Sequence, residues 1–350
     1  MPVLNQKLNL KGPSISSVLK CEHKYLSRVY QKECVSKSIP KFQAFNPKNP
    51  RIQNEIEVPF PLWIKPVRSS SSYLGFYVKD KKSLNDCIRT IQSEIDTFAN
   101  LFNDLVEIAD IKGELNGVGG ECCIAEEIIS NGLQVTQEGY THNGKVEVYG
   151  TIDSLRYDKE HNSCFRAYRY PSVIPAEVID EITDLTKSVV AHFDYDNGPF
   201  NIEYFWDPET GNIRLLEINS RISKSHCLLF ELVDGSSNQQ VMIQTALGVK
   251  PQMPYRKGGH QYAIKYMLRY FKEGTVTRIP TDEEIAVLQK QFPDLHVHHE
   301  VKVGDNLKDL RFQDSYSYEL ASIFLGGKSP EDLEEKLAAI CANLNYIIEK

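Results

Sequence analysis

The stretch LLEINSRIS, Leu215 to Ser223, sets a carboxylate, an amide and a guanidinium at every second position: Glu217, Asn219 and Arg221. Side chains of a strand alternate between its two faces. Extended, these three lie in a row with Ile213 and Leu215, while Arg214, Leu216 and Ile218 take the other face, where Leu216 and Ile218 would anchor it in a core. The preceding FNIEYFWD alternates too, with Phe200, Ile202, Tyr204 and Trp206 on one side and Asn201 and Glu203 on the other. The turn-like DPETG between the two stretches makes a hairpin, and a symmetric register brings Glu203 opposite Glu217. Like charges opposed on a sheet are destabilising, and each carboxylate resists ionising beside the other. A divalent cation between them reverses that cost. Mg²⁺ takes a few hard oxygen ligands and keeps phosphate or water oxygens in its other positions. Glu203, Glu217 and the Asn219 carbonyl meet that demand, with Mn²⁺ as an alternative ion. Arg221 could then reach a phosphate or the charge developing on a transferring phosphoryl group. The bland alternative is an exposed edge strand with an incidental Glu–Arg pair.

Such a hairpin needs a frame. CEHKYLSRVYQKECVSKSIP (21–40) reads as a helix stopped before Pro40. PLWIKPV is a short strand, RSSSSYLG a small-residue loop closed by Gly75, and FYV a resumed strand. Leu84, Ile88, Ile91, Ile95 and Leu101 recur at helical spacing, which predicts one amphipathic helix over 81–101. ECCIAEEII reads as a buried strand. LQVTQEGYT and KVEVYGTID flank the hairpin signal His142-Asn143-Gly144, and 175–193 is a helix with Pro175 near its start. Beyond Gly248, GGHQYAIKYMLRYF, HVHHEVKVGD and YSYELASIFLGG look like strands. Thr281-x-x-Glu284 is a capping box, and Ser329-Pro330 opens a last helix. His296 and His298 share a strand face and read as exposed strand, not as metal ligands. Antiparallel hairpins with helices packed on them make an α+β fold.

The 350 residues suffice for two or three packed units. A net charge of −7 weighs against a general binder of nucleic acid or anionic membranes. No stretch approaches the roughly 20 apolar residues that span a bilayer, and MPVLNQKLNLKG lacks a signal-peptide core. The eight scattered cysteines contain no C-x-x-C pair and read as reduced thiols of a cytoplasmic protein.

GPFNIEYFWDPETGNIRLLEINSRIS, the Ser225–His226 pair after it and the ALG at 246–248 resemble the ATP-grasp superfamily. The likeness runs in order from roughly Leu19 to Gly248. It implies two α+β subdomains gripping ATP, over 21–125 and 126–250, after a remnant at 1–20 and before a strand-rich cap at 251–350. The family's usual N-terminal α/β domain, about 100 residues long, is expected to be missing, because only roughly 20 residues precede Lys24. By resemblance, Glu203, Glu217 and Asn219 hold metal, and Arg221 acts on the reacting phosphate. Lys24, in His23-Lys24 where the family usually has Asp-Lys, contacts phosphate. Lys65, in WIKPV, reaches the α- and β-phosphates. Ser70 and Ser71, in the run Ser69 to Ser72, and Gly75 match the flexible phosphate loop. The adenine hinge resembles Glu126-Glu127-Ile128-Ile129. Gln134 stands where the family has a ribose-binding glutamate, and Arg169, with Arg166 as the weaker choice, matches an extra phosphate cation.

Within the superfamily, SSSSYLG, GLQVTQEG, the Glu-Glu hinge and YRYPSVIP look like the amino-acid (dipeptide) ligases. The spacing from Arg221 to His226 is similar to biotin carboxylase, but Ser223, Lys224 and Ser225 stand where that group has its bicarbonate-binding Gln and Glu. The implied activity is an ADP-forming ligase that joins small carboxylate and amine substrates through an acyl phosphate, using ATP and Mg²⁺. A homodimer, or a partner supplying the missing domain, is the implied assembly. The alternatives are a nucleotide-binding subunit without turnover and a biotin-carboxylase-like enzyme.

Overall fold

The computed structural model describes residues 2–69, 73–157, 164–310 and 317–350. The chain divides into two compact units, 1–148 with 176–221 and 244–250, and 149–175 with 222–243 and 251–350.

The first unit holds a four-stranded antiparallel sheet in the order Phe42–Phe45, Cys123–Glu127, Leu62–Pro66, Phe76–Val78. Leu62 and Ile64 face inward and pack with Leu84, Ile88, Ile91 and Ile95. The same alternation leaves Trp63 and Lys65 half-buried on the opposite face. The helix expected over 81–101 ends at Glu94, and a second runs Asp96–Ile108. Leu101, read from its spacing as part of the inward stripe, is 69% exposed: six residues past Ile95, it falls about 120° round the helix from that stripe. A second antiparallel set joins Leu133–His142, Pro199–Trp206 and Ile213–Asn219. Asn143 and Gly144 both take positive φ (51° and 75°), as the predicted two-residue hairpin turn requires.

The single helix expected over 21–40 is two, Ile15–Glu22 and Lys24–Val35. His23 between them is extended and caps the second: its Nδ1 accepts from the Leu26 N–H at 3.2 Å, and its Nε2 bonds the Val118 carbonyl at 3.0 Å. Both bonds need the neutral ring protonated at Nε2. Burial pushes the His23 pKa down to about 4 from 6.5. The unfolded chain therefore takes up a proton between those values that the folded chain refuses, so stability falls as pH drops through the window, by roughly 3 kcal/mol in all. Asn caps as well and does not titrate. His23→Asn is accordingly expected to show a flatter decline of its denaturant midpoint between pH 6.5 and 4 than the native chain. Parallel declines would assign the acid sensitivity to another group.

In the second unit His296–His299, Tyr318–Gly327, Tyr262–Tyr270 and Phe165–Tyr170 pair in that order, all antiparallel, and the last pairs with residues 153–156. Helix Pro330–Cys341 packs Leu333, Leu337 and Ile340 against Ile264 and Ile323 of this sheet. The capping box at Thr281 and Pro330 in the first turn stand as the sequence predicts. His296 and His298 are exposed. Among the described residues no helix is long and apolar enough to cross a membrane.

Candidate functional site

The first unit brings Glu203 directly opposite Glu217 and Asn201 opposite Asn219. The register slips between Glu203 and Tyr204, so Tyr204 faces Leu215 and Leu216 is an extra, bulged residue. This corrects the strict alternation. Leu215 does not share the face of Glu217: it is fully buried with Ile213, Ile218, Ile202 and Tyr204, while Leu216, expected in the core, is only half-buried. Bulges re-aim side chains in this way. Here one strand serves an apolar core up to Leu215 and presents polar groups from Glu217 onward.

Those groups are tied together. Gln134 Nε2 donates to Glu203 Oε2 at 2.8 Å. Asn219 Nδ2 donates to Asn201 Oδ1 at 3.0 Å and to Glu203 Oε1 at 3.4 Å. Its Oδ1 accepts from Arg221 Nη2 at 3.3 Å. Arg221 lies past the end of the strand at Asn219, is exposed, and its carbonyl accepts from Asn201 Nδ2 at 2.8 Å.

The cations come from two other elements. Lys24, at the first position of its helix, sits 3.2 Å from Glu217 Oε1 and donates to the Ser69 carbonyl at 2.9 Å. Burial pulls its ammonium below the usual range, against the opposing pull of Glu217. Burial works against the charge of Glu217, but Lys24 and Lys65 outweigh it and hold that carboxyl below the usual range. Lys65 Nζ is 2.6 Å from Glu126 Oε2, and Arg28 Nε is 2.5 Å from Glu126 Oε1. Burial alone would raise the pKa of Glu126; Arg28 and Lys65 instead bring it down to about 2. Lys24, Lys65, Glu126 and Glu217 converge on a cavity of about 10 Å³. That is room for about one water, so a nucleotide would meet these groups from outside it.

Of the other residues singled out in the sequence, Glu127 ends its strand with its carboxylate 3.3 Å from the Lys41 N–H, and Ile128 follows outside the strand. Gly75 precedes the strand Phe76–Val78, but the left-handed turn residue there is Leu74, at φ 55°. Ser70 and Ser71 lie outside the described residues. Arg169 belongs to the second unit, where its Nη2 is 2.7 Å from Asp153 Oδ2, and Arg166 there pairs with Glu334.

Three residues escaped the sequence reading. Arg28 is one helical turn past Lys24, and the i, i+4 spacing was the available signal. Arg68 sits directly before the serine run and is 3.0 Å from Glu22. Glu22 in turn accepts from the Ser220 hydroxyl at 2.7 Å.

Glu203, Glu217 and the Asn219 carbonyl offer hard oxygens of the kind that suits Mg²⁺. Among the described residues no three or more of His, Cys, Asp and Glu group to hold an ion. Two carboxylates and an amide are compatible with an ion that takes its remaining oxygens from phosphate and water. Residues 58–228 match the family described as ATP-grasp domain. This is an ATP-grasp fold. The ATP-grasp architecture recurs in solved structures of low identity. The L-amino acid ligase of Bacillus licheniformis superposes at TM-score 0.73 and 19% identity, over 100% of this chain and 77% of that one. Biotin carboxylase of Campylobacter jejuni gives 0.65 and 14%, over 99% and 72%. N5-carboxyaminoimidazole synthase of Aspergillus clavatus gives 0.65 and 14%, over 95% and 75%. No curated protein matches the chain.

Proposed function

We propose that this chain is an ATP- and Mg²⁺-dependent ligase that joins a small carboxylate, such as an amino acid, to an amine. The observation that carries the reading is the in-register Glu203–Glu217 pair, with Asn219 beside it and Lys24 against Glu217. Lys65 approaches from the strand Leu62–Pro66 of the four-stranded sheet, its ammonium 2.6 Å from Glu126. Bound Mg²⁺ would neutralise charge on the β- and γ-phosphate oxygens. Glu203, Glu217 and the Asn219 carbonyl would hold it; Gln134 and Asn219 fix the Glu203 carboxylate by donating to both its oxygens. Lys24 and Lys65 bind phosphates, and Glu126 to Ile128 present backbone to the adenine. In the first step a substrate carboxylate oxygen attacks the γ-phosphorus, the bond to the β-phosphate oxygen breaks, and ADP leaves. The amine then attacks the acyl carbon, phosphate leaves, and the amine gives up a proton. Arg221, exposed at the end of the metal strand, stabilises charge on the transferring group. The likeness to the amino-acid ligase supports this substrate class.

The test is thermal unfolding with Mg²⁺ and ATP, separately and together, followed by ADP release across a panel of carboxylates and amines. A ligand at about 100 times its Kd adds about 2.7 kcal/mol to stability. The native chain is expected to gain most from the two together, whereas in Glu203→Ala Mg²⁺ adds nothing to the shift from ATP. ADP release that needs both substrates supports the ligase. A shift with no turnover on any pair makes the chain a nucleotide-binding subunit, and ATP cleavage that needs bicarbonate and free biotin makes it a carboxylase. No shift in the native chain sinks all three.

A further inference from the structure

Arg28 is 2% exposed, and its guanidinium makes four bonds to three separate parts of the first unit. Nε donates to Glu126 Oε1 at 2.5 Å. Nη1 donates to Gln31 Oε1 at 2.6 Å and to the Leu215 carbonyl at 3.0 Å, and Nη2 donates to the Leu216 carbonyl at 2.9 Å. Gln31 is itself fixed, donating to Ser27 Oγ at 2.8 Å. Leu215 and Leu216 are the two residues at the bulge. A bulge leaves part of its backbone outside the strand ladder, and buried backbone carbonyls need a partner. One planar side chain supplies that partner to two consecutive carbonyls and, through Nε, grips the carboxylate that holds Lys65.

We propose that Arg28 is a positioning residue for the metal site: it locks the bulge that turns Glu217 and Asn219 away from the core and sets the bulge against the Glu126–Lys65 pair. The inference rests on the function proposed above. A buried ion pair could be retained for stability alone, so geometry must be separated from charge. Lys retains the positive charge beside Glu126, but its ammonium is a point charge without the rigid fork. It cannot serve Glu126 and both carbonyls together. Freed of one carbonyl bond, the bulge relaxes and Glu217 drifts from Glu203, while Lys24 and Lys65 still present their charges to phosphate.

The experiment titrates Mg²⁺ against native, Arg28→Lys and Gln31→Met chains at saturating ATP, reading ligand-induced fluorescence or heat well below each unfolding midpoint. Metal-free ATP affinity is measured alongside. Arg28→Lys is expected to raise the half-saturating Mg²⁺ concentration by about tenfold or more, the usual effect of losing a residue that orients metal ligands, with metal-free ATP affinity within about twofold of native. Gln31→Met removes one anchor of the guanidinium and leaves the ion pair. It is expected to move the Mg²⁺ half-saturation the same way by a smaller factor, and it decides the matter if Arg28→Lys does not fold. A lowered unfolding midpoint with unchanged Mg²⁺ half-saturation in the folded variant overturns the inference and leaves the proposed function standing. Native ATP binding that ignores Mg²⁺ overturns both.

Discussion

Glu126→Gln is expected to destabilise the chain by about 3–5 kcal/mol, the range seen when one member of a buried ion pair is removed. Glu126 is 4% exposed and takes Arg28 on one oxygen and Lys65 on the other. An amide there would leave Arg28, 2% exposed, without its counter-charge and Lys65 with only the pull of Glu217. The pH dependence carries a definite sign. The carboxyl ionises at about 2 in the folded chain and near 4.5 when unperturbed. The folded state therefore keeps Glu126 charged where the unfolded state is already taking up a proton. Its contribution is complete above pH 4.5 and is lost as pH falls toward 2, so the difference between native and Glu126→Gln should narrow over that window. Urea midpoints of both chains from pH 7 down to pH 2 measure it. A difference under about 1 kcal/mol at pH 7 would show that water reaches Arg28 and Lys65 and that the pairs are solvated.

The site was legible where chemistry is written in residue type and a short period. Glu203, Glu217 and Asn219 stood out by residue type, but the register that DPETG sets from Trp206–Ile213 to Tyr204–Leu215 would oppose Glu203 to Leu216, and the extra residue at Leu216 is what brings Glu217 there. Lys65 falls on the polar face of its strand because Leu62, Ile64 and Pro66 fill the other. The bulge was not legible. Strict alternation is the only rule a sequence offers for a strand, and the carbonyls at the slip, Leu215 and Leu216, accept from Arg28, nearly two hundred residues earlier. The misread helices have a similar cause. His23 looks like any helix residue until Val118, from a distant loop, accepts its Nε2 proton. Leu101 is a different case: six residues past Ile95 is already off the buried face of a helix, so its exposure follows from the spacing itself. Long-range partners stand at the bulge and at His23, and periodicity carries no information about them.

Glu217→Gln should bind ATP more tightly than the native chain when no metal is present, an inversion of what deleting a metal ligand ordinarily does. Before any phosphate arrives, the Lys24 ammonium already sits 3.2 Å from Glu217 Oε1 and 2.9 Å from the Ser69 carbonyl. A phosphate must therefore draw Lys24 away from a carboxylate, and an ion must draw Glu217 away from Lys24. Each exchange is easier once the other has occurred, so Mg²⁺ and ATP should bind with positive coupling. Gln at 217 leaves the lysine in place but removes the competing charge. A charged hydrogen bond contributes about 1.5–3 kcal/mol, and Glu217 at 37% exposed calls for the lower end after screening. That is roughly a tenfold gain in metal-free affinity. Adding Mg²⁺ should reverse the order, because only the native chain has both carboxylates for the ion. Calorimetric titration of ATP into both chains, in EDTA and then in Mg²⁺, reads both halves. If Glu217→Gln binds no better than native in EDTA, Glu217 holds Lys24 in its working position instead of competing for it, and the coupling between metal and nucleotide must arise in the phosphates themselves.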